Sequence, residues 1–125
     1  MARILVVDDD EMQRLLERTI LEDAGHELTF ASDGADALIF FRRNDVDVVV
    51  TDLNMPRIDG LKVIEGVMEI DDRVPVIVVS GVESERLDQA MALGAFKALL
   101  KPVDPQDLLD AVTAALELAH EEDWL

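Results

Sequence analysis

Five times along this chain a short apolar run rich in β-branched residues gives way to a longer stretch whose apolar residues recur every three or four positions. The runs fall at residues 3–7, 28–31, 46–51, 74–79 and 96–100. A continuous apolar run bounded by turn formers reads as a strand buried on both faces, and the recurrences read as amphipathic helices. Strict alternation of the two predicts an α/β fold in which a five-stranded parallel sheet is covered by helices on both faces. At 125 residues the chain is the size of one domain, and no linker or low-complexity segment divides it.

The helices carry their own punctuation. Met12, Leu15, Leu16, Ile20 and Ala24 form the apolar stripe expected of the first, which should end in a left-handed cap at Gly25. Asp10 and Glu11 suit its cap and first turn. Ser32-Asp33-Gly34 offers a cap to a helix over 35–43, with Ala37, Leu38 and Phe41 inward and Ile39 and Phe40 outward. Leu61, Ile64, Val67 and Met68 mark a third helix. Leu87, Ala90, Met91 and Leu93 mark a fourth, closed by Gly94. Asp104-Pro105 opens the last, with Leu108, Val112, Ala115, Leu116 and Ala119 inward. Residues 1–120 are therefore the folded unit. The acidic end, 121–125, opposes a helix dipole and reads as a tail or the start of a linker.

Eleven basic against 28 acidic side chains give a formal charge of −17, which repels phosphate backbones and argues against direct nucleic-acid binding. No apolar run approaches a membrane span, and there is no cysteine for a disulfide or thiolate metal site, in keeping with a cytoplasmic protein.

Every strand but the second ends in a group able to do chemistry: Asp8 and Asp9, Asp52, Ser80, and Lys101. Parallel strands share one carboxyl edge, which is where open α/β sheets bind ligands. Crowded carboxylates repel unless a cation or proton intervenes, and an all-oxygen ligand set favours a hard ion such as Mg²⁺. His26 and His120 fall outside this constellation and are taken as surface residues.

Val6-Val7-Asp8-Asp9, Asp52-Leu53-Asn54-Met55-Pro56 with Asp59-Gly60, Ser80-Gly81, Gly94-Ala95 and Lys101-Pro102 resemble, in order and spacing, the motifs of the CheY-like receiver domain of response regulators in two-component signalling. The resemblance spans essentially the whole chain. It implies a doubly wound sheet of strand order 2-1-3-4-5, with Asp52 as the phosphoryl acceptor. It further implies Mg²⁺ held directly by Asp9 and Asp52, by Asp8 through water and by the backbone carbonyl of Asn54. Lys101, aimed inward by a cis bond to the Pro102 that follows it, and Ser80 would meet the phosphoryl oxygens. The implied partners are a sensor histidine kinase or histidine phosphotransfer protein and a downstream protein, with a homodimer left open. The implied activity is self-catalysed phosphotransfer and dephosphorylation, in a single-domain regulator or in the receiver of a longer protein.

One position departs from the pattern. Receivers usually carry Tyr or Phe three residues before the lysine, and here Ala98 stands there. Phe96 shares its strand face but lies roughly 6.6 Å away along the strand, so it does not take the same place. The expectation is that phosphorylation is read out through the loop after Ser80 and the fourth helix, with little help from the fifth strand. Two other classes share the architecture. An FMN-binding flavodoxin-like carrier would be yellow, and a Mg²⁺-dependent phosphohydrolase would turn over a generic phosphate ester. The acid cluster and the lack of a cap segment argue against them.

Overall fold

The computed structural model describes the backbone of residues 2–55, 58–81 and 84–123 and, among these, the side chains of all but residues 84, 85 and 120–123. In chain order the elements are β1 (Arg3–Val7), α1 (Glu11–Asp23), β2 (Glu27–Ala31), α2 (Gly34–Arg43), β3 (Val48–Asp52), α3 (Gly60–Ile70), β4 (Val76–Ser80), α4 (Ser84–Ala92), β5 (Lys97–Leu100) and α5 (Pro105–Asp123). The five strands pair in parallel in the order β2-β1-β3-β4-β5, as the alternation and the resemblance predict.

The side-chain period of two splits the sheet into two cores. Ile4, Val6, Val48, Val50, Ile77 and Val79 face Ile20 and Leu21 of α1 and Leu108, Val112 and Ala115 of α5. Leu5, Val7, Val49, Val76 and Val78 face Phe41 of α2, Val63, Ile64 and Val67 of α3 and Ala90 of α4. All five residues of β3, and all five of β4, are buried. Covering on both faces is why these strands read as unbroken apolar runs instead of alternating. The runs at 46–51 and 74–79 form strands two residues later than expected and one residue longer at the far end, so Asp52 and Ser80 are themselves the last strand residues. The fifth strand begins at Lys97, one residue after the expected start.

Local chemistry fixes the helix starts. The Asp10 carboxylate accepts from the N–H groups of Met12 and Gln13, and the Asp33 carboxylate from that of Asp36. Asp104 accepts from Gln106 and Asp107 at the head of α5. Each such cap satisfies otherwise orphaned donors and contributes about 1 kcal/mol. Gly25 closes α1 with φ 89, the left-handed turn the sequence anticipates.

The first helix buries only part of the expected stripe: Ile20 is in the core, and Ala24 is exposed. Met12, Leu15 and Leu16 are 72, 54 and 40% exposed, while Glu17, Ile20 and Leu21 are buried. The Asp10 cap and an Arg14 Nη1 hydrogen bond to the Asp8 carbonyl at 2.7 Å hold the head of the helix in place. In this orientation the row through Glu17 and Ile20 packs inward. Met12 and Leu15 instead line an open groove of about 370 Å³ with Arg18, which stacks 5.0 Å over Phe30. Phe40 also departs from expectation: it is half-buried against the core facing α2, whereas Ile39 is exposed as anticipated.

Candidate functional site

Strands β1, β3 and β5 deliver their last or following residues to one edge. Among the described residues, carboxylate oxygens of Asp8, Asp9 and Asp52 lie within 4.8 Å of one another, with Asp8 and Asp52 buried and Asp9 exposed. The Lys101 ammonium reaches into this group, 3.3 Å from Asp52 Oδ2 and 3.5 Å from Asp8 Oδ2. Its strand leads there because β5 ends at Leu100 beside Ser80, and the Lys101 N–H donates to the Ser80 carbonyl at 2.8 Å. The Lys101–Pro102 bond is cis. Ser80, 1% exposed, closes β4, the neighbour of β3. Asn54 lies in the loop after β3, its side chain exposed and its N–H donating to Asp52 Oδ1 at 3.3 Å.

Burial and charge oppose each other at this edge. Burial raises the pKa of the Asp8 carboxyl, a hydrogen bond from the Asp10 N–H and the Lys101 charge counter it, and the Asp52 and Asp9 charges raise it further. Burial also pulls the Lys101 ammonium down, but the facing Asp52 and Asp8 carboxylates outweigh it, leaving lysine more basic than usual. The arrangement is three clustered acids with one organic cation paired to two of them, Asp8 and Asp52, and Asp8 Oδ2 accepts no hydrogen bond. Such a donor set, all oxygen and in charge excess, fits a hard divalent cation.

The far end of the loop after β3 returns close to the strand end, the Gly60 N–H donating to the Leu53 carbonyl at 3.0 Å. A Cβ added at Gly60 would collide with the Asp52 carbonyl oxygen and lie 2.7 Å from the Leu53 Cα, so only glycine lets α3 start this close to the strand end. The Asp59 carboxylate caps α3 through the Lys62 N–H. Pro56 of the sequence motif lies outside the described residues.

The structure brings together Asp8, Asp9, Asp52 and Lys101, and sets Ser80 and Asn54 beside them. It keeps Asp10 out of the acid cluster, at its cap. His26 is half-buried and accepts from the Ala2 N–H, and the His120 side chain lies outside the described residues. Two groups escaped the sequence reading. Glu17 is 1% exposed, and burial, then the charges of Asp8 and Asp52, push its carboxyl up to about 8 against the pull of Lys101 and Gln13. Arg86 of α4 reaches the Leu53 carbonyl and the Asp59 carboxylate. A four-residue spacing from Gln13 to Glu17 was the only sequence signal for the first, and nothing local signals the second.

Comparison with known proteins agrees with this geometry. The sequence profile of the response regulator receiver domain matches residues 4–113. Regulatory protein AtoC of Escherichia coli is 36% identical over 117 residues, which are 93% of this chain and 25% of AtoC. The chemotaxis protein CheY of Treponema pallidum is 32% identical over 119 residues, covering 92% of this chain and 83% of that protein. A response regulator receiver domain protein from Clostridium thermocellum superposes with a TM-score of 0.88 at 33% identity, each chain covered completely. With the profile spanning most of the sequence, and CheY matched over most of both chains, this chain belongs to the response regulator receiver domain family, the receiving module of two-component signalling.

Proposed function

We propose that this receiver accepts a phosphoryl group on Asp52 from a phosphohistidine of a sensor kinase or phosphotransfer protein, with Mg²⁺ bound beside it, and thereby changes its contacts with a downstream protein. The observation that carries this reading is the meeting of the Asp8, Asp9 and Asp52 carboxylates with Lys101 at the carboxyl edge of the sheet. Asp9 and Asp52 would ligate the ion directly, Asp8 through water, and Asn54 through its backbone carbonyl. When bound, the ion neutralises charge on the acids and on the phosphoryl oxygens.

Asp52 then needs little more than position. Its carboxylate attacks phosphorus in line, an O–P bond forms as the P–N bond breaks, and the departing imidazole keeps the electron pair. The Asn54 N–H holds one carboxylate oxygen of Asp52. Lys101 contributes a cation and Ser80 a hydroxyl to the phosphoryl oxygens, in the manner of an oxyanion site. Attack of water on phosphorus returns Asp52 and inorganic phosphate, so the modification is self-limiting. Residues 1–120 form the receiver, and 121–125 lead out of it as a tail or linker start whose first three residues continue α5; the receiver works in the cytoplasm alone or within a longer protein.

Phosphoramidate carries the same P–N bond as phosphohistidine and so tests the reading without the kinase. Intact mass should show one added phosphoryl group with Mg²⁺ and none after EDTA treatment. Equal uptake in both conditions would contradict the role given to the ion.

A further inference from the structure

One nitrogen ties together three elements around the acceptor. Arg86 Nη2 donates to the Leu53 carbonyl at 3.2 Å and to Asp59 Oδ2 at 3.1 Å, with side chains 28 and 34% exposed for Arg86 and Asp59. Leu53 directly follows Asp52, is fully buried, and its carbonyl also accepts from the Gly60 N–H at 3.0 Å. Asp59 spends its other oxygen on the head of α3. Arg86 therefore grips both ends of the acceptor loop, from the helix that follows Ser80. Between them the loop carries Asn54, whose N–H is already engaged by Asp52.

We infer that Arg86 is a positioning residue that makes the placement of α4 follow the state of Asp52. The inference rests on the proposed phosphorylation of Asp52 and adds to it the physical link by which that event leaves the site. The usual aromatic on the fifth strand is replaced here by Ala98, which pairs with Val78 and has no ring to move. Arg86 offers a route that avoids β5 altogether. A charge-assisted pair of limited exposure, with a second hydrogen bond to a buried main-chain oxygen, is stiff enough to carry a loop displacement into a helix. An exposed surface pair would not be, since those are worth little and rearrange freely.

The test follows amide chemical shifts on adding Mg²⁺ and a fluoroberyllate mimic of the phosphoryl group, alongside intact mass after phosphoramidate treatment. In the wild type, residues 53–60 and 84–92 should both shift. Arg86→Met keeps the aliphatic stem and removes the donors. It should still gain the phosphoryl group and still shift at 53–60, while the shifts at 84–92 fall to the level of residues remote from the site. Asp59→Asn keeps an oxygen to cap α3 and removes the charge facing Arg86 but leaves the Leu53 carbonyl; it should weaken the same α4 response, and the double variant should lose no more than Arg86→Met alone. Wild-type shifts at 84–92 in Arg86→Met would overturn the link, as would additive losses in the double variant. Absence of phosphoryl uptake by the wild type would instead overturn the function on which the link rests.

Discussion

Replacing Lys101 by methionine should strengthen Mg²⁺ binding while slowing phosphoryl uptake by about a hundredfold or more. The opposite signs follow from where the ammonium lies. At 3.3 Å from Asp52 Oδ2 and 3.5 Å from Asp8 Oδ2 it occupies the field of the same oxygens a divalent cation would use. The attraction between unit charges at such distances is on the order of 1–5 kcal/mol in partly solvated surroundings, all of which competes with the ion. Removing the competitor should lower the Mg²⁺ dissociation constant by about tenfold. The same change takes away a donor to the transferring group, whose developing charge an organic cation stabilises. Calorimetric titration with Mg²⁺ and the time course of intact mass with phosphoramidate read the two effects separately. If affinity and rate fell together, Lys101 would be a structural prop of the site and not a participant.

The second large effect concerns Glu17, which takes no part in the proposed transfer. Its carboxyl ordinarily ionises near 4.5 and is pushed up to about 8 in the fold, chiefly by burial and then by the Asp8 charge. A raised value means that folding favours the protonated form. The stability this contributes is whole below 4.5 and is lost as pH rises through 8. Glu17→Gln leaves a neutral group of the same shape and no proton to lose. Measured by urea denaturation in EDTA, the two proteins should have similar stabilities near pH 5. By about pH 9 the variant should be the more stable by on the order of 4 kcal/mol. Two curves running parallel across that range would show that Glu17 finds charged partners or solvent in the folded state.

That residue also shows where sequence reading stops. Five apolar runs and their polar ends are local patterns, so the sheet, its covering helices and the convergence of Asp8, Asp9, Asp52 and Lys101 were all legible. The caps at Asp10, Asp33 and Asp104 were legible for the same reason, since each is decided within three residues. The orientation of α1 was not. Two stripes share Ile20 on that helix, which is buried as expected, and spacing favours the one that adds Met12, Leu15 and Leu16 because an acid ordinarily stays in water. The structure turns the other row inward, and Glu17 is tolerated there as a neutral carboxylic acid. Arg86 was hidden differently. It lies 33 residues from Leu53 and 27 from Asp59, and no periodicity encodes contacts at such separations.

Asp52 is the residue proposed to take the phosphoryl group, and one comparison bears on that role most directly. Wild type and Asp52→Asn are incubated with phosphoramidate and Mg²⁺ under identical conditions, then weighed as intact proteins. Asparagine keeps the shape and the oxygen that faces the Asn54 N–H but is no nucleophile toward phosphorus. The wild type should gain one phosphoryl group and the variant none. An equal gain in both would place the acceptor elsewhere and contradict the account.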